Sequence, residues 1–261
     1  MMTLDRELQT ALEAARAAGE EILKVYSRGF EVDFKDDNSP LTEADLNAHH
    51  VIVDILEKAF PKYPILSEES VDDFIAEKHP WCWIVDPLDG TKEFVKRNDE
   101  FTVNIALTYE KIVVMGVVYA PVFDEMYYGV KGHGAFITEK GQTRKIQVSK
   151  RIHGIEVLQS RSHQSQRCMD YIEQNEEKIA HVTRMGSSLK GCRIAKGDHD
   201  VYYNCGRTMI WDTGAMEVII EEAGGILNQL TDEPIVYDLK KLVNDKGFYI
   251  LNDIRNKFKS V

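Results

Sequence analysis

No stretch of this 261-residue chain carries the roughly 20 uninterrupted apolar residues that a bilayer-spanning helix needs, so no integral membrane segment is expected. The first residues set out at once in a polar amphipathic pattern and lack the apolar core of a signal peptide. Cysteine is scarce: Cys82, Cys168, Cys192 and Cys205 include no CxxC pair. Neither a zinc site nor a disulfide framework is suggested, and a reducing cytoplasm is the expected setting, with peripheral membrane attachment left open. Basic residues are in deficit, 32 against 43 acidic, for a net charge of -11. That balance argues against a general binder of nucleic acid or anionic membranes, which needs a positive field. A basic aromatic face for nucleic acid is missing as well. So is an EF-hand-like run of alternating acids closed by Glu, which counts against a non-catalytic cation-binding regulatory module. What remains open is one small phosphorylated ligand held by a few cations or by metals, for which clustered carboxylates are the expected equipment.

The chain is long enough to bury a sizeable core, as one large domain or two small ones. Leu4, Leu8, Leu12, Ala15, Ala18 and Ile22 recur at helical spacing and predict a first helix from about Thr3 to Tyr26. Phe30 to Phe34 reads as a strand. Thr42, followed three residues on by Asp45, reads as a helix start, and that helix runs to Phe60, where Pro61 ends it. Val71 to His79 is acidic and weakly helical and reads as a surface insert or a mobile flap. Strands follow at Trp81 to Val85, Phe101 to Leu107 and Ile112 to Tyr119, then Glu125 to Val130, Ala135 to Ile137 and Arg144 to Val148, a pattern of helices packed on an antiparallel sheet. Near Lys150 to Gly154 the pattern changes. From Ile155 short strands alternate with helices, including one opening at Ser187 and one over Thr213 to Ala223, which predicts a smaller α/β unit over 151–261 beside an α+β unit over 1–150.

The chemistry gathers around Asp86-Pro87-Leu88-Asp89-Gly90-Thr91, placed where the apolar run Trp81 to Val85 is expected to stop. The proline fixes one backbone angle and the glycine permits close approach, so the two carboxylates can turn to a common point suited to a hard divalent cation. A plain surface turn would use the same residue types. Glu68 ends the preceding short strand and Asp212 stands where the Thr213 helix opens; each also reads as an ordinary residue, solvated surface and helix cap respectively. Together the four acids and the Leu88 carbonyl could hold two Mg²⁺ ions bridging a phosphate. The backbone of Gly90 to Lys92 offers N–H groups to that phosphate. Thr91 could orient a water and Asp45 take its proton, though Asp45 serves equally as a capping residue. Ser187 and Ser188, with Lys190 nearby, read either as an anion site or as simple capping, and Ser162 with His163 could border a base or ribose.

These stretches, Leu41-Thr42-Glu43-Ala44-Asp45, Leu66-Ser67-Glu68-Glu69, Trp83 through Phe94 and Trp211-Asp212-Thr213-Gly214-Ala215, resemble in order and over nearly the whole chain the inositol monophosphatase superfamily of lithium-sensitive, magnesium-dependent phosphatases. The resemblance implies an α/β (α+β) fold of layered αβαβα type. It implies metal ligands at Glu68, Asp86, the Leu88 carbonyl, Asp89 and Asp212, two or three Mg²⁺ ions, water activation through Thr91 and Asp45, and inhibition by Li⁺ in one Mg²⁺ place. Lys92-Glu93-Phe94, Ser160-Arg161-Ser162-His163 and Gly186-Ser187-Ser188-Leu189-Lys190 are similar to the 3'(2'),5'-bisphosphate nucleotidase branch, implying release of the 3'-phosphate of adenosine 3',5'-bisphosphate, with its sulfated form as a further substrate. An inositol or sugar-phosphate phosphatase is the alternative. The chain departs from the branch pattern at Tyr203-Asn204, where a Pro-Arg pair is expected, and at Gly206-Arg207-Thr208, where Gly-Pro-Thr is expected. Arg207 would have to supply the missing charge. A monomer and a homodimer are both left open.

Overall fold

The structure, a computed structural model, describes residues 3–34, 40–74 and 79–259. Most of the expected Val71 to His79 insert either closes a 3-10 turn over Glu68–Asp73 or, at 75–78, lies outside the described residues. Of the strand expected at Phe30 to Phe34, only Asp33–Phe34 forms, paired with Pro40–Leu41.

Five layers stack on one another. The outermost is a pair of helices, α1 (Asp5–Tyr26) and α2 (Glu43–Ala59). The buried stripe of α1 is built of small residues, among them Ala11, Ala14, Ala15, Ala18 and Gly19; at Gly19 a Cβ would stand 2.4 Å from the Tyr119 ring. They cover a seven-stranded sheet whose spatial order follows the chain: β1 (Ile65–Ser67), β2 (Trp81–Asp89), β3 (Thr102–Tyr109), β4 (Ile112–Ala120), β5 (Glu125–Val130), β6 (Gly134–Glu139) and β7 (Gln142–Ile146). Only β1 and β2 run parallel; the remaining neighbours are antiparallel. The central strands lack the usual alternation of apolar and polar residues because both faces of the sheet are covered. Trp83, Val85, Ile105 and Val117 face the α1–α2 layer, whereas Ile84, Ala106 and Val118 face the opposite way.

On that opposite face lie α5 (Leu189–Ala195) and α6 (Ile210–Glu222), sandwiched between the large sheet and a second one. Being covered on two sides, α6 is apolar nearly all round. It lies against the large sheet because Gly116 has no side chain: a Cβ there would stand 2.2 Å from the Ala215 carbonyl oxygen. The second sheet has the order β9-β8-β10-β12-β11, with β8 (Ile155–Ser160), β9 (Ile179–Met185), β10 (Val201–Asn204), β11 (Ile226–Gln229) and β12 (Phe248–Leu251). Strand β8 is parallel to β9 and β10, and β12 is antiparallel to both its neighbours. Outside this sheet, α4 (Gln166–Glu173) packs Cys168 and Tyr171 against Val157, Val201 and Tyr203. The order is therefore αβαβα. One apolar core runs through α5 and α6 from the large sheet to Leu158, Tyr202 and Ile250 of the small one, so the 1–150 and 151–261 stretches share a core through the middle layer. No helix among the described residues is long and apolar enough to cross a membrane.

Three boundaries differ from the sequence expectation. Strand β2 does not stop at Asp86 but continues to Asp89, with a register shift against β3 between Asp86 and Asp89. The last long helix opens at Ile210, not Thr213, so Asp212 is its third residue. The helix expected to open at Ser187 begins at Leu189.

Candidate active site

Two local devices bring the acids together. First, β1 pairs in parallel with β2, Ser67 opposite Val85, so that Glu68 leaves β1 beside Asp86. Second, the irregularity in β2 keeps both Asp86 and Asp89 on the cleft wall, where strict alternation over three residues would send them to opposite faces. Gly90 then takes a left-handed φ of 92° and opens the short helix α3 (Thr91–Val95). From the far side, the first turn of α6 contributes Asp212, whose Oδ2 accepts the Met209 N–H at 2.7 Å. Asp212 is therefore not the N-cap, which is Met209, but caps the helix from its third position, and it lines the cleft as well.

The cleft has a volume of about 620 Å³. Its lining includes Glu68, Asp86, Asp89 and Asp212, together with Leu88 and Thr91. Burial, and after it the charges of Glu68, Asp89, Asp212 and Glu69, push the Asp86 carboxyl well above the ordinary range. Asp212 is displaced the same way by burial and then by Asp89. Such a cluster cannot carry its full negative charge in a dry site without an added cation. The donors are all oxygen, the choice of Mg²⁺ or Ca²⁺ over softer metals. Among the described residues no three Asp, Glu, His or Cys side chains already close on one point. Mg²⁺ does not require three, since it keeps several waters and is held through one or two carboxylates plus substrate phosphate. The residues present therefore fit this cation.

Asp45 stands beside Thr91. Its Oδ2 accepts from the Thr42 N–H at 2.8 Å and the Thr42 hydroxyl at 2.7 Å, closing the capping box of α2. Its Oδ1 lies 3.1 Å from the Thr91 hydroxyl, which also has the Leu88 carbonyl oxygen at 3.2 Å. The two readings of Asp45 are thus compatible, one oxygen for each.

Ser188 is employed differently from the sequence expectation of an anion site. Its hydroxyl lies 2.6 Å from Asp89 Oδ2 and 3.0 Å from the Asp212 carbonyl oxygen, and accepts from Asn104 Nδ2 at 2.9 Å. Its N–H also donates to Asp89 Oδ2, at 2.6 Å. Ser188 is accordingly a carboxylate support that ties the middle layer to the large sheet. The Ser187 hydroxyl accepts only locally, from the Leu189 N–H at 3.3 Å, on a backbone with φ 48°. Asn104, a partner of both Asp89 and Ser188, was not singled out from the sequence; a lone amide in the apolar run Phe101 to Leu107 was the available signal.

The cleft lining also carries cations, Lys92, Lys190 and Arg207. Lys92 Nζ stands 2.9 Å from His163 Nε2, and burial, then Lys92 itself, pull the imidazole pKa down, so the ring is a neutral acceptor. Ser162 donates to Glu93 at 2.5 Å and accepts from Lys96 at 3.2 Å. Nearby, Glu100 holds both the Arg161 guanidinium, at 2.6 Å, and the Gly186 N–H, at 2.8 Å. Lys190 is buried; its ammonium donates to the Ser187 carbonyl at 2.6 Å and lies over the Tyr202 ring. Burial lowers its pKa against the pull of Asp89, Glu93, Glu100 and Asp212. Arg207 is exposed on the cleft wall beside Asn204.

A carboxylate-lined cleft cut across an αβαβα stack defines a phosphatase of the layered sugar-phosphatase type. The inositol monophosphatase family model matches residues 3–255, and the chain belongs to that family. Over 247 residues it is 40% identical to the 3'(2'),5'-bisphosphate nucleotidase CysQ of Escherichia coli K12, covering 93% of this chain and 98% of that protein. Among solved structures, CysQ from Bacteroides thetaiotaomicron superposes with a TM-score of 0.81 at 37% identity, covering 94% of this chain and 96% of that one. The Thermotoga maritima IMPase superposes with the same TM-score at 28% identity, covering 94% and 92%. Proteins of this family are metal-dependent, generally with Mg²⁺.

Proposed function

We propose that the chain is a Mg²⁺-dependent 3'(2'),5'-bisphosphate nucleotidase that hydrolyses the 3'-phosphate of adenosine 3',5'-bisphosphate to give AMP and phosphate. The observation that carries this reading is one cleft lined both by four carboxylates and by cations. Glu68, Asp86, Asp89 and Asp212 can meet a phosphate only through added cations, while Lys92 and the exposed Arg207 can meet an anion directly. A substrate with two phosphates uses both. The 40% identity to CysQ supports the same substrate.

Glu68, Asp86, Asp89, Asp212 and the Leu88 carbonyl would hold two or three Mg²⁺ ions, which supply positive charge against the ester phosphate and raise the acidity of the attacking water. The chain's own part begins at Thr91. Its proton is directed to Asp45 Oδ1, leaving an oxygen lone pair facing the cleft to accept from that water. As the water attacks phosphorus, its proton passes to Thr91 Oγ1 and Thr91's own proton to Asp45, whose Oδ2 is held by Thr42. The N–H groups of Gly90 and Thr91, at the start of α3, face the charge that grows on the phosphoryl oxygens. Ser162 and His163 border the sugar, and Arg207 takes the 5'-phosphate in place of the arginine absent at Asn204. The test is phosphate release with Mg²⁺ across adenosine 3',5'-bisphosphate, inositol 1-phosphate and fructose 1,6-bisphosphate. The highest kcat/KM belongs to the adenosine compound; a preference for inositol 1-phosphate would overturn the substrate assignment.

A further inference from the structure

Away from the carboxylates, the fold brings two of the four cysteines together. Cys168 lies in the first turn of α4, its N–H donating to the N-cap Ser165 hydroxyl at 3.3 Å, and Cys205 directly follows β10. Although 37 residues apart in sequence, their Sγ atoms stand 2.7 Å apart. Unbonded sulfur atoms seldom approach so closely, and the bonded separation of about 2.05 Å is a small movement away. The pair is also differentiated. The hydrogen bond between the two sulfurs, with Ser165 and Arg167 contributing, brings the Cys168 pKa down to about 6 against the effect of burial, although Cys168 Sγ also lies 3.4 Å from the Tyr203 carbonyl oxygen. The same hydrogen bond, with burial, pushes the Cys205 thiol up. Of the two sulfurs Cys168 is thus the readier nucleophile. The remaining two cysteines behave oppositely, since burial pushes Cys82 up to about 12 and raises Cys192 as well.

We propose that Cys168 and Cys205 form an oxidisable dithiol that takes a low-molecular-weight disulfide as its oxidant and, once joined, ties the substrate-cleft wall at Cys205 to α4. The Cys168 thiolate attacks one sulfur of the small disulfide, whose S–S bond breaks and releases one small thiolate. Cys205 gives up its proton and attacks Cys168 Sγ in the mixed disulfide, expelling the second small thiolate. Two protein thiols and one small disulfide become one protein disulfide and two small thiols. Cys205 lines the cleft together with Asn204, Gly206 and Arg207, and Ser165 at the start of α4 lines it too. The bond therefore fastens the stretch that carries Arg207, while the acids at Asp86, Asp89 and Asp212 lie on other elements. The kinetic consequence rests on the nucleotidase reading: KM for adenosine 3',5'-bisphosphate rises roughly ten- to hundredfold, about one hydrogen bond to a charged phosphate, with kcat unchanged.

The experiment treats the full-length Mg²⁺-loaded enzyme with oxidised glutathione, maps its cysteine peptides by mass spectrometry and measures kinetics before and after reduction with dithiothreitol. The expected result is a reversible Cys168–Cys205 cross-linked peptide, formed before any change at Cys82 or Cys192, together with the raised KM. Cys168→Ser leaves basal activity as it is and abolishes both the cross-link and the KM change. Glutathione resting on separate cysteines, or no reaction at this pair, overturns the dithiol in the wild-type chain whatever the variant does. A cross-link with unchanged KM overturns the link to the cleft. Peptide mapping does not depend on the substrate, so failure of the nucleotidase reading leaves the dithiol result intact.

Discussion

Replacing Ser188 with alanine separates the role that the structure gives this residue from the phosphate-binding role its position after Gly186 suggests. The hydroxyl is 2% exposed and lies between Asp89 Oδ2, at 2.6 Å, and Asn104 Nδ2, at 2.9 Å. Alanine removes that hydroxyl, and with it the acceptor of one Asn104 amide N–H, but keeps the Ser188 N–H on Asp89 and the other Asn104 N–H on Asp89 Oδ2 at 3.1 Å. The hydrogen bond lost to the charged acceptor is worth about 1.5–3 kcal/mol. Loss of an outer partner of a metal ligand costs about 10–100-fold in metal affinity, which is about 1.4–2.8 kcal/mol. The two magnitudes agree, as they should if the hydroxyl's main task is to hold Asp89 in place. A Mg²⁺ titration of phosphate release should therefore show half-saturation raised about 10–100-fold, with kcat largely restored at saturating Mg²⁺. Ser187→Ala, whose hydroxyl accepts only from Leu189 N–H, is the control. An unchanged Mg²⁺ requirement with a raised substrate KM would refute the reasoning and return Ser188 to the phosphate.

Three further outcomes follow from individual contacts. Asp45→Asn keeps the shape but deprives Thr91 of its proton acceptor, so kcat should fall about 10²–10⁴-fold while the urea midpoint moves little; turnover near wild type would remove Asp45 from the proton path. Gly116→Ala forces α6 off β4, because the new Cβ would meet the Ala215 carbonyl oxygen at 2.2 Å, and urea unfolding should register a loss of about 3 kcal/mol. Glu217, buried under Tyr237, has its pKa pushed up by burial from 4.5 to about 8. The folded state therefore holds a proton that the unfolded chain releases, and this contribution, complete below 4.5, is lost as pH rises to about 8. Glu217→Gln should flatten the decline of unfolding free energy over that window, by up to about 1.4 kcal/mol per pH unit; an unaltered slope would show that Glu217 does not titrate there.

Local patterns were enough to identify the helices α1 and α2 and the strands of the large sheet, because each depends on periodicity, capping or turn chemistry within a few residues, whereas each acid of the cleft taken singly also read as surface, turn or cap. Thr42 and Asp45 are three apart and cap a helix wherever that helix goes. The apolar strands spoke of burial, but not of what buries them; that α6 is enclosed between two sheets depends on Gly116 in one strand meeting Ala215 a hundred residues later. The register between β1 and β2 that sets Glu68 beside Asp86, and the irregularity that keeps Asp86 and Asp89 on one wall, are properties of paired strands and have no signature in either strand alone. For the same reason the sequence leaves Ser188 open between an anion site and a cap, its partner Asp89 being 99 residues away, and suggests no pairing of Cys168 with Cys205. The sequence by itself determined which chemical groups are available, the carboxylates, the hydroxyls and the few cations. Tertiary structure alone decided which of them meet, because hydrogen bonds and Coulomb interactions act over a few ångströms of space and take no account of distance along the chain.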